Sequence, residues 1–244
     1  MGVPRPDGFF GNCDPKNKKN YRTRCSALIS FNKNNILIDT SPDLRGQLLS
    51  QKITTIDEVL YTHCHADQTH GINDLRVFFL KKKKKINVYC DNLTTNYLTK
   101  NFSYCFIKKY DYPPILKIKS LKKNFMMGST GKKINIKAIK VKHGLIDSIA
   151  YVVNNKIAYI SDANDFYKKD YIHFKKLEYL IIDCLRFNKH PSHFNLDDVL
   201  KVTKSLEPKK TILTNLHSDL DYNQLLKILP NNIRPGYDGL AVII

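Results

Sequence analysis

The stretch Val59-Leu60-Tyr61-Thr62-His63-Cys64-His65-Ala66-Asp67 decides how this chain is read. A short apolar strand runs into three polar side chains at alternate positions. In extended backbone, side chains two apart point the same way, so His63 and His65 are placed to grip one metal ion. Asp67, a turn further on, is placed to reach a second. Imidazole and carboxylate donors together suit zinc, manganese or iron rather than calcium. A lone His-x-His pair is weak evidence, because polar residues at strand ends are commonly satisfied by backbone bonds. Cys64 lies between the two histidines with its side chain turned the other way, and is not read as a ligand.

The weight comes from repetition. Asp39 follows the apolar run Ile36-Leu37-Ile38, His143 follows Val141, Asp162 follows residues 157–160, and His217 comes after Ile212-Leu213. Loops at strand ends, held by a rigid sheet, are where an open catalytic site is built. Of the eight histidines, only His173 falls inside an expected helix, and it is read as ordinary surface. In this scheme His143 completes the protein ligands of the first ion. Asp162 bridges both ions, since a carboxylate has two oxygens, and His217 serves the second. The expected cofactor is therefore a pair of divalent ions, zinc or manganese. Asp39 is expected to orient the ligand loops and the imidazole N–H of a ligand.

Around these residues, β-branched runs alternate with helical patterns, which is the texture of an α/β layered fold. Residues 27–31 and 36–39 read as strands about a turn at 32–35. Ser41 and Pro42 read as the cap and first turn of a helix to about residue 51. Residues 59–61 and 86–89 read as strands. A helix begins near Gly71 or Asn73, and Asp91 or Asn92 caps another that ends at Phe102. In the second half, a strand from 134 to 141 leads to His143. Asn154-Asn155 joins a hairpin of 149–153 with 157–161. Strands follow at 180–183 and 211–214, helices at 196–206 (capped by Asn195) and 222–229, and a closing strand at 240–244. No linker or repeat interrupts the pattern, so residues 1–244 are expected to form a single hydrolase domain.

Composition narrows the class. Hydrophobic residues make up 42% of the 244, enough for a large core. No apolar run approaches the roughly 20 residues that cross a bilayer, and the first ten residues do not read as a signal peptide. The six cysteines form no Cys-x-x-Cys pair, so free thiols and a cytoplasmic setting are expected. The formal charge of +18 suits an anionic substrate or nucleic acid. Drift toward A/T-rich codons, seen in the abundance of Lys, Asn, Ile and Tyr, explains the charge equally simply. Lys81 to Lys85 is the one dense basic run.

Tyr61-Thr62-His63-Cys64-His65-Ala66-Asp67, with Asp39, His143 and Asp162 in order behind it, resembles the signature of the metallo-β-lactamase superfamily. Within it the chain is similar to the phosphoribosyl 1,2-cyclic phosphate phosphodiesterases of the carbon–phosphorus lyase pathway. That likeness rests on Arg24-Cys25-Ser26, Pro42-Asp43-Leu44, Asp183-Cys184, His193 with Leu196-Asp197, Ile212-Leu213-Thr214 and Tyr237-Asp238-Gly239. The resemblance implies a four-layer αββα sandwich and a metal-dependent hydrolase. It also implies that His193 gives a proton to the leaving group, while Asp67 orients the attacking water as well as binding metal. His190 is an alternative donor, and Arg76 a candidate phosphate contact or a surface ion pair. A homodimer is a possible arrangement, with no membrane association.

The chain departs from the family pattern in three places. Gln68 stands where the superfamily usually has histidine, with His70 two residues on as a substitute. Asn215 stands at the family's late histidine, so that role passes to His217. The family's opening strand and Gly-rich turn do not precede Gly2-Val3-Pro4; either that edge strand is missing or the gene start lies upstream. Three functions follow. The favoured one is a phosphodiesterase acting on a small cyclic or accessible phosphodiester. The second is an RNA-processing nuclease similar to tRNase Z. The third is a non-catalytic RNA-binding protein with a degraded metal site, for which Gln68 and Asn215 speak.

Overall fold

The computed structural model describes residues 2–128 and 133–244. They fall into two compact units. One is essentially residues 24–122. The other comprises the N-terminal segment up to Thr23, Lys123–Met127 and Ile134–Ile244.

The first unit is built on strands β1 (Ala27–Phe31), β2 (Asn34–Ile38), β3 (Glu58–Leu60), β4 (Ile86–Cys90) and β5 (Leu116–Ser120), which lie side by side in that order. The β1–β2 pair is antiparallel, with Phe31 opposite Asn34. Its two-residue turn therefore holds only Asn32 and Lys33, at φ 44° and 63°. Positive φ at both central residues is what a right-twisted hairpin needs. Asn34 and Asn35, expected in the turn, join the strand instead. The remaining neighbours are parallel, so the carboxyl ends of β2, β3 and β4 share one edge. Asp39 and the His63 loop leave the sheet there.

Helices α1 (Leu44–Ser50), α2 (Ala66–Thr69), α3 (Arg76–Lys82), α4 (Asn92–Asn101) and α5 (Ser103–Phe106) complete this unit. Their apolar faces, with Ile72 and Leu75 of the 3₁₀ turn before α3, bring Leu44, Phe78, Leu98 and Cys105 into one core with Val59 and Val88 of the sheet and Tyr61 just after β3. Asp91 caps α4 by accepting from the Thr94 N–H at 2.8 Å. Ser41 does not cap α1. Its hydroxyl accepts from the Asp43 N–H at 3.0 Å, and the helix starts only at Leu44.

The second unit carries β6 (Asn124–Met127), β7 (Ile134–His143), β8 (Ile146–Val153), β9 (Ile157–Ile160), β10 (Asp165–Phe166), β11 (Tyr179–Asp183), β12 (Lys210–Thr214) and β13 (Ile233–Pro235). Their order is β10-β7-β8-β9-β11-β12-β13, with β6 also on β7. Helices α6 (Leu196–Leu206) and α7 (Tyr222–Ile228) accompany them. Leu196, Val199, Thr203 and Leu206 recur at helical spacing and are all buried. They seat α6 on a core that includes Ile160, Leu180, Ile182, Leu213 and Leu225. The Asn195 side chain caps this helix, accepting from the Asp198 N–H at 2.9 Å. The closing strand expected at 240–244 does not form: the last strand is β13, and Ile243 is exposed. A strand needs an edge to pair with, and β13 takes the one beside β12.

Residues before Thr23 brace the end of this unit. The buried Arg22 guanidinium donates to the carbonyls of Leu220 (2.7 Å) and His217 (3.1 Å) and to Asn20 Oδ1 (3.1 Å). Asn20, itself buried, donates to Asp221 Oδ2 at 2.6 Å, and Asp221 caps α7 through the Gln224 N–H at 2.9 Å. Burial alone would raise the Asp221 carboxyl; the donors around it outweigh burial and hold it below the ordinary value. Its stabilisation is therefore complete above the unfolded pKa of about 3.9 and is lost as pH falls through the lower folded value. Asp221→Ala removes a cap and orphans buried donors, a combined cost of about 2–3 kcal/mol at pH 7. Urea unfolding at pH 7 and pH 3 should show that deficit shrinking at the lower pH.

Candidate active site

Each unit presents polar groups at the carboxyl edge of its parallel strands. In the first unit the backbone N–H of Asp39 still bonds Leu60 O, at 2.9 Å. The chain then turns at φ 63°, a left-handed position that Asp tolerates. The Asp39 carboxylate, fully buried, accepts from the Thr62 N–H and the Thr62 hydroxyl, each at 2.8 Å. Because that hydroxyl donates to Asp39, its contact with His63 Nδ1 at 3.0 Å makes it the acceptor there. His63 is thereby fixed with its proton on Nδ1 and its lone pair on Nε2. Asp39 orients the imidazole as expected, but through Thr62 rather than directly. His63 Nε2 lies 3.0 Å from His65 Nδ1. Two ring nitrogens this close suit a shared proton or a shared cation.

Asp67 sits in the first turn of α2, half-buried, and Gln68 is fully buried behind it. His70, considered as a substitute ligand, bonds Tyr97 OH at 2.9 Å through Nε2 and packs edge-on to Phe102. Arg76 lies over the Tyr112 ring at 5.2 Å. The thiol of Cys64 is pushed up by burial, so it has little thiolate character.

In the second unit, β9, β11 and β12 are parallel, and β7 runs the same way because β8 is antiparallel to both β7 and β9. His143, Asp162, Asp183 and Asn215 therefore emerge at one edge. Potential ligand atoms of His143, Asp162 and His193 lie within 4.8 Å of one another. His143 Nδ1 stands 2.6 Å from the Ser192 carbonyl, which can only accept; the proton is on Nδ1 and the lone pair on Nε2. His193 Nδ1 is 2.7 Å from Asp183 Oδ2 and 3.7 Å from Asp162 Oδ1. The Asn215 amide donates to Asp162 Oδ1 at 3.3 Å and to Asp183 Oδ1 at 3.2 Å. Burial first, and then the charge of Asp162, push the Asp183 carboxyl well above the usual range. His190 packs on His193, ring centroids 4.9 Å apart, and burial lowers its pKa.

His217 was expected with these ligands, yet its Nε2 faces the Arg5 guanidinium at 3.4 Å and its Nδ1 lies 3.8 Å from Asp219. The group contains Asn215 and Asp183 instead. Asp183 follows the apolar run Leu180-Ile181-Ile182 just as Asp39 and Asp162 follow theirs, so the same rule finds it. Thr62 and Ser192 act through hydroxyl and carbonyl groups that no spacing rule singles out.

The donor set fits a divalent cation. Two histidines have their lone pairs fixed on Nε2 by a partner on Nδ1, which is how metal-ligating imidazoles are usually held, and buried carboxylates supply negative charge. Imidazoles and carboxylates at strand ends of mixed α/β sheets match the metal-dependent hydrolases of the metallo-β-lactamase fold. The chain belongs to the β-lactamase superfamily domain family, whose model matches residues 34–215. Family membership implies divalent-metal binding and bears out the resemblance read from Tyr61 to Asp67.

Among known proteins, it is 30% identical over 249 residues to an octanoyltransferase of Porphyromonas gingivalis (strain ATCC BAA-308 / W83). That match covers 100% of this chain and 49% of the relative, so the chain spans about half the length of the curated relative it matches. A solved diphosphatase of the PhnP family is similar at 27% identity and TM-score 0.87, over 98% of this chain and 91% of that one. The short form of human tRNase Z shares the fold, with TM-score 0.68, 15% identity and coverage of 96% and 97%. Among the described residues no helix is long and apolar enough to cross a membrane.

Proposed function

We propose that this protein hydrolyses a phosphodiester or diphosphate linkage in a small molecule. The reading is carried by the group of His143, Asp162 and His193, in which an imidazole with its lone pair fixed on Nε2 stands beside a buried carboxylate. The likeness to a PhnP-family diphosphatase supports the substrate class. His63, His65, Asp67, His143 and Asp162 are taken as the ligands, and two zinc or manganese ions as the cofactor. Divalent cations there would acidify a bound water from about 15.7 toward roughly 7 and offset charge growing on the phosphoryl oxygens.

The chain's own groups do the rest. Asp67 orients the attacking water. Asp39, through Thr62, and the Ser192 carbonyl hold His63 and His143 in one tautomer. His193 delivers a proton from Nε2 to the departing alkoxide, while Asp183 holds Nδ1 and stabilises the imidazolium that precedes transfer. Six free thiols suit a reducing, cytoplasmic setting.

The +18 charge and the fold shared with tRNase Z favour a nuclease as the second reading. One assay separates the readings. The purified protein is analysed for metal, loaded with manganese or zinc, and offered bis-p-nitrophenyl phosphate, a cyclic ribose phosphate, a dinucleoside diphosphate, precursor tRNA and an octanoyl thioester. Turnover confined to the small phosphoesters is expected. Cleavage of tRNA would select the nuclease, and thioester hydrolysis an acyl-directed role akin to the octanoyltransferase relative. RNA binding without metal or turnover would select a degraded site.

A further inference from the structure

The run from α2 into α3 carries a pattern outside the ligand set. His70, Asn73 and Arg76 recur every three residues through the 3₁₀ turn Ile72–Leu75, a geometry in which side chains three apart lie one above the other. Each meets an aromatic ring from α4 or the chain beyond it. His70 Nε2 lies 2.9 Å from the Tyr97 hydroxyl, and the two rings are within 15° of parallel. Phe102 stands edge-on to both. The Asn73 side-chain oxygen accepts from the Tyr104 hydroxyl at 2.5 Å. The Arg76 guanidinium lies 5.2 Å from the centre of the Tyr112 ring.

Packing accounts for the first rings of this strip and not for the last. Tyr97, Phe102 and Tyr104 are partly buried against the core of their unit. Tyr110 and Tyr112 are 91% and 61% exposed. They lie in the turn after α5, where the Tyr112 N–H bonds Lys109 O at 3.0 Å. Tyr110 holds φ 51° there, a left-handed position that glycine or asparagine fills at lower cost. A bulky ring kept in such a position without burial points to a task other than stability. Basic groups accompany the rings. Lys100 follows Tyr97 by one turn of α4, and Lys108 and Lys109 immediately precede Tyr110; all three are exposed. With Arg76 they outnumber Asp74 and Asp111, the acids within residues 70–76 and 97–112.

We infer that this face binds a single-stranded nucleic acid, with bases stacked on Tyr110 and Tyr112 and phosphates drawn to Arg76, Lys100, Lys108 and Lys109. Every base has a π-face, so exposed rings set among cations hold a single strand whatever its sequence. A duplex hides those faces and offers the same groups only its phosphates. Arg76 covers one side of the Tyr112 ring, which steadies the ring and adds a cation to the stack. The inference goes beyond hydrolysis of a small phosphoester and does not rest on it.

The test is fluorescence anisotropy with a labelled oligoadenylate of about 15 nucleotides and an RNA duplex of the same length. It is read on the metal-loaded protein, and again with chelator so that cleavage of the strand does not enter. Wild type is expected to prefer the single strand by about tenfold. Tyr110→Ala with Tyr112→Ala should weaken single-strand binding on the order of tenfold or more, toward parity with the duplex. Tyr110→Phe with Tyr112→Phe keeps the rings and should restore wild-type affinity. Lys83→Gln with Lys84→Gln removes charge outside the strip and should lower both affinities alike, leaving the preference in place. No binding, equal binding to strand and duplex, or a preference that survives loss of both rings overturns the inference; in the last two cases charge alone holds the probe. Thermal unfolding of each variant separates lost affinity from lost structure. If the double alanine variant unfolds, Tyr110→Ala alone takes its place under the same criterion. No turnover is read, so neither outcome bears on the phosphodiesterase reading.

Discussion

Asp162→Asn is expected to lower kcat/KM by on the order of 10³-fold or more, while making the metal-free protein more stable. The two effects have one cause. Asp162 and Asp183 are 2% and 0% exposed. The Asn215 amide reaches both carboxylates, and the charge of Asp162 adds to burial in pushing Asp183 up. Two desolvated carboxyls held this way are costly unless a cation offsets them. Asparagine keeps the volume, so no cavity opens, and it removes one of the charges. A neutral amide oxygen is also a poor metal ligand, so metal retained after dialysis should fall. A carboxylate with only a structural role predicts the opposite stability change, a loss of about 1–3 kcal/mol from broken buried bonds. Urea unfolding in the presence of chelator, with metal analysis and kinetics on the same preparations, reads all three quantities. Turnover within tenfold of wild type, or a less stable metal-free variant, would sink the assignment of Asp162.

The distance between sequence and structure differs from residue to residue, for physical reasons. Asp39, His63, His143 and Asp162 were visible because each ends an apolar run, and strand direction alone brings such ends to one edge of a sheet. Asp183 obeys the same rule, and in the sequence it stands out only through the likeness carried by Asp183-Cys184. His217 stands near a strand end and its spacing predicts a ligand, whereas the position that faces Asp162 belongs to Asn215, directly after β12. Two residues of loop are enough to turn a side chain toward Arg5, which lies more than two hundred positions away in the chain. Contacts of that span leave no periodicity to read. The same holds for Thr62 and Ser192, which act on His63 and His143 as hydroxyl and carbonyl. Boundaries failed where local chemistry competed. Ser41 had the composition of a helix cap, but its hydroxyl serves the Asp43 N–H instead and the helix waits for Leu44. Residues 240–244 are apolar enough for a strand but form none, and the place beside β12 belongs to β13.

Gly71→Ala gives the second large effect, and its sign decides between two principles. Gly71 has no positive φ, so alanine should gain about 0.4–1 kcal/mol by restricting the unfolded chain. The folded state opposes this. A Cβ at Gly71 would lie 2.0 Å from the Ser41 carbonyl oxygen, 2.9 Å from the Ser41 carbonyl carbon and 3.1 Å from Leu44 Cβ. The nearest atoms are backbone, which no rotamer change can move aside. They belong to a segment tied on both sides, with the Gly71 N–H on Thr40 O and the Thr40 N–H on Gln68 O, each at 2.8 Å. Relief must therefore shift residues 39–41 against 66–71, the two stretches that carry Asp39 and Asp67. Overpacking of this kind costs about 1–3 kcal/mol and here should reach the upper end, overwhelming the entropic gain. Gly46 is the matched control. It lies in α1, is exposed, and a Cβ there meets nothing within 4 Å. Gly46→Ala should stabilise by up to about 1 kcal/mol. Urea unfolding of the two variants should thus move in opposite directions. Where Gly71→Ala still folds, its metal affinity should drop 10-fold to 100-fold, on the scale seen when the groups that orient metal ligands are disturbed. A Gly71→Ala protein as stable as wild type would show that the segment between Asp39 and Asp67 yields freely, and that the geometry of the His63 loop does not depend on it.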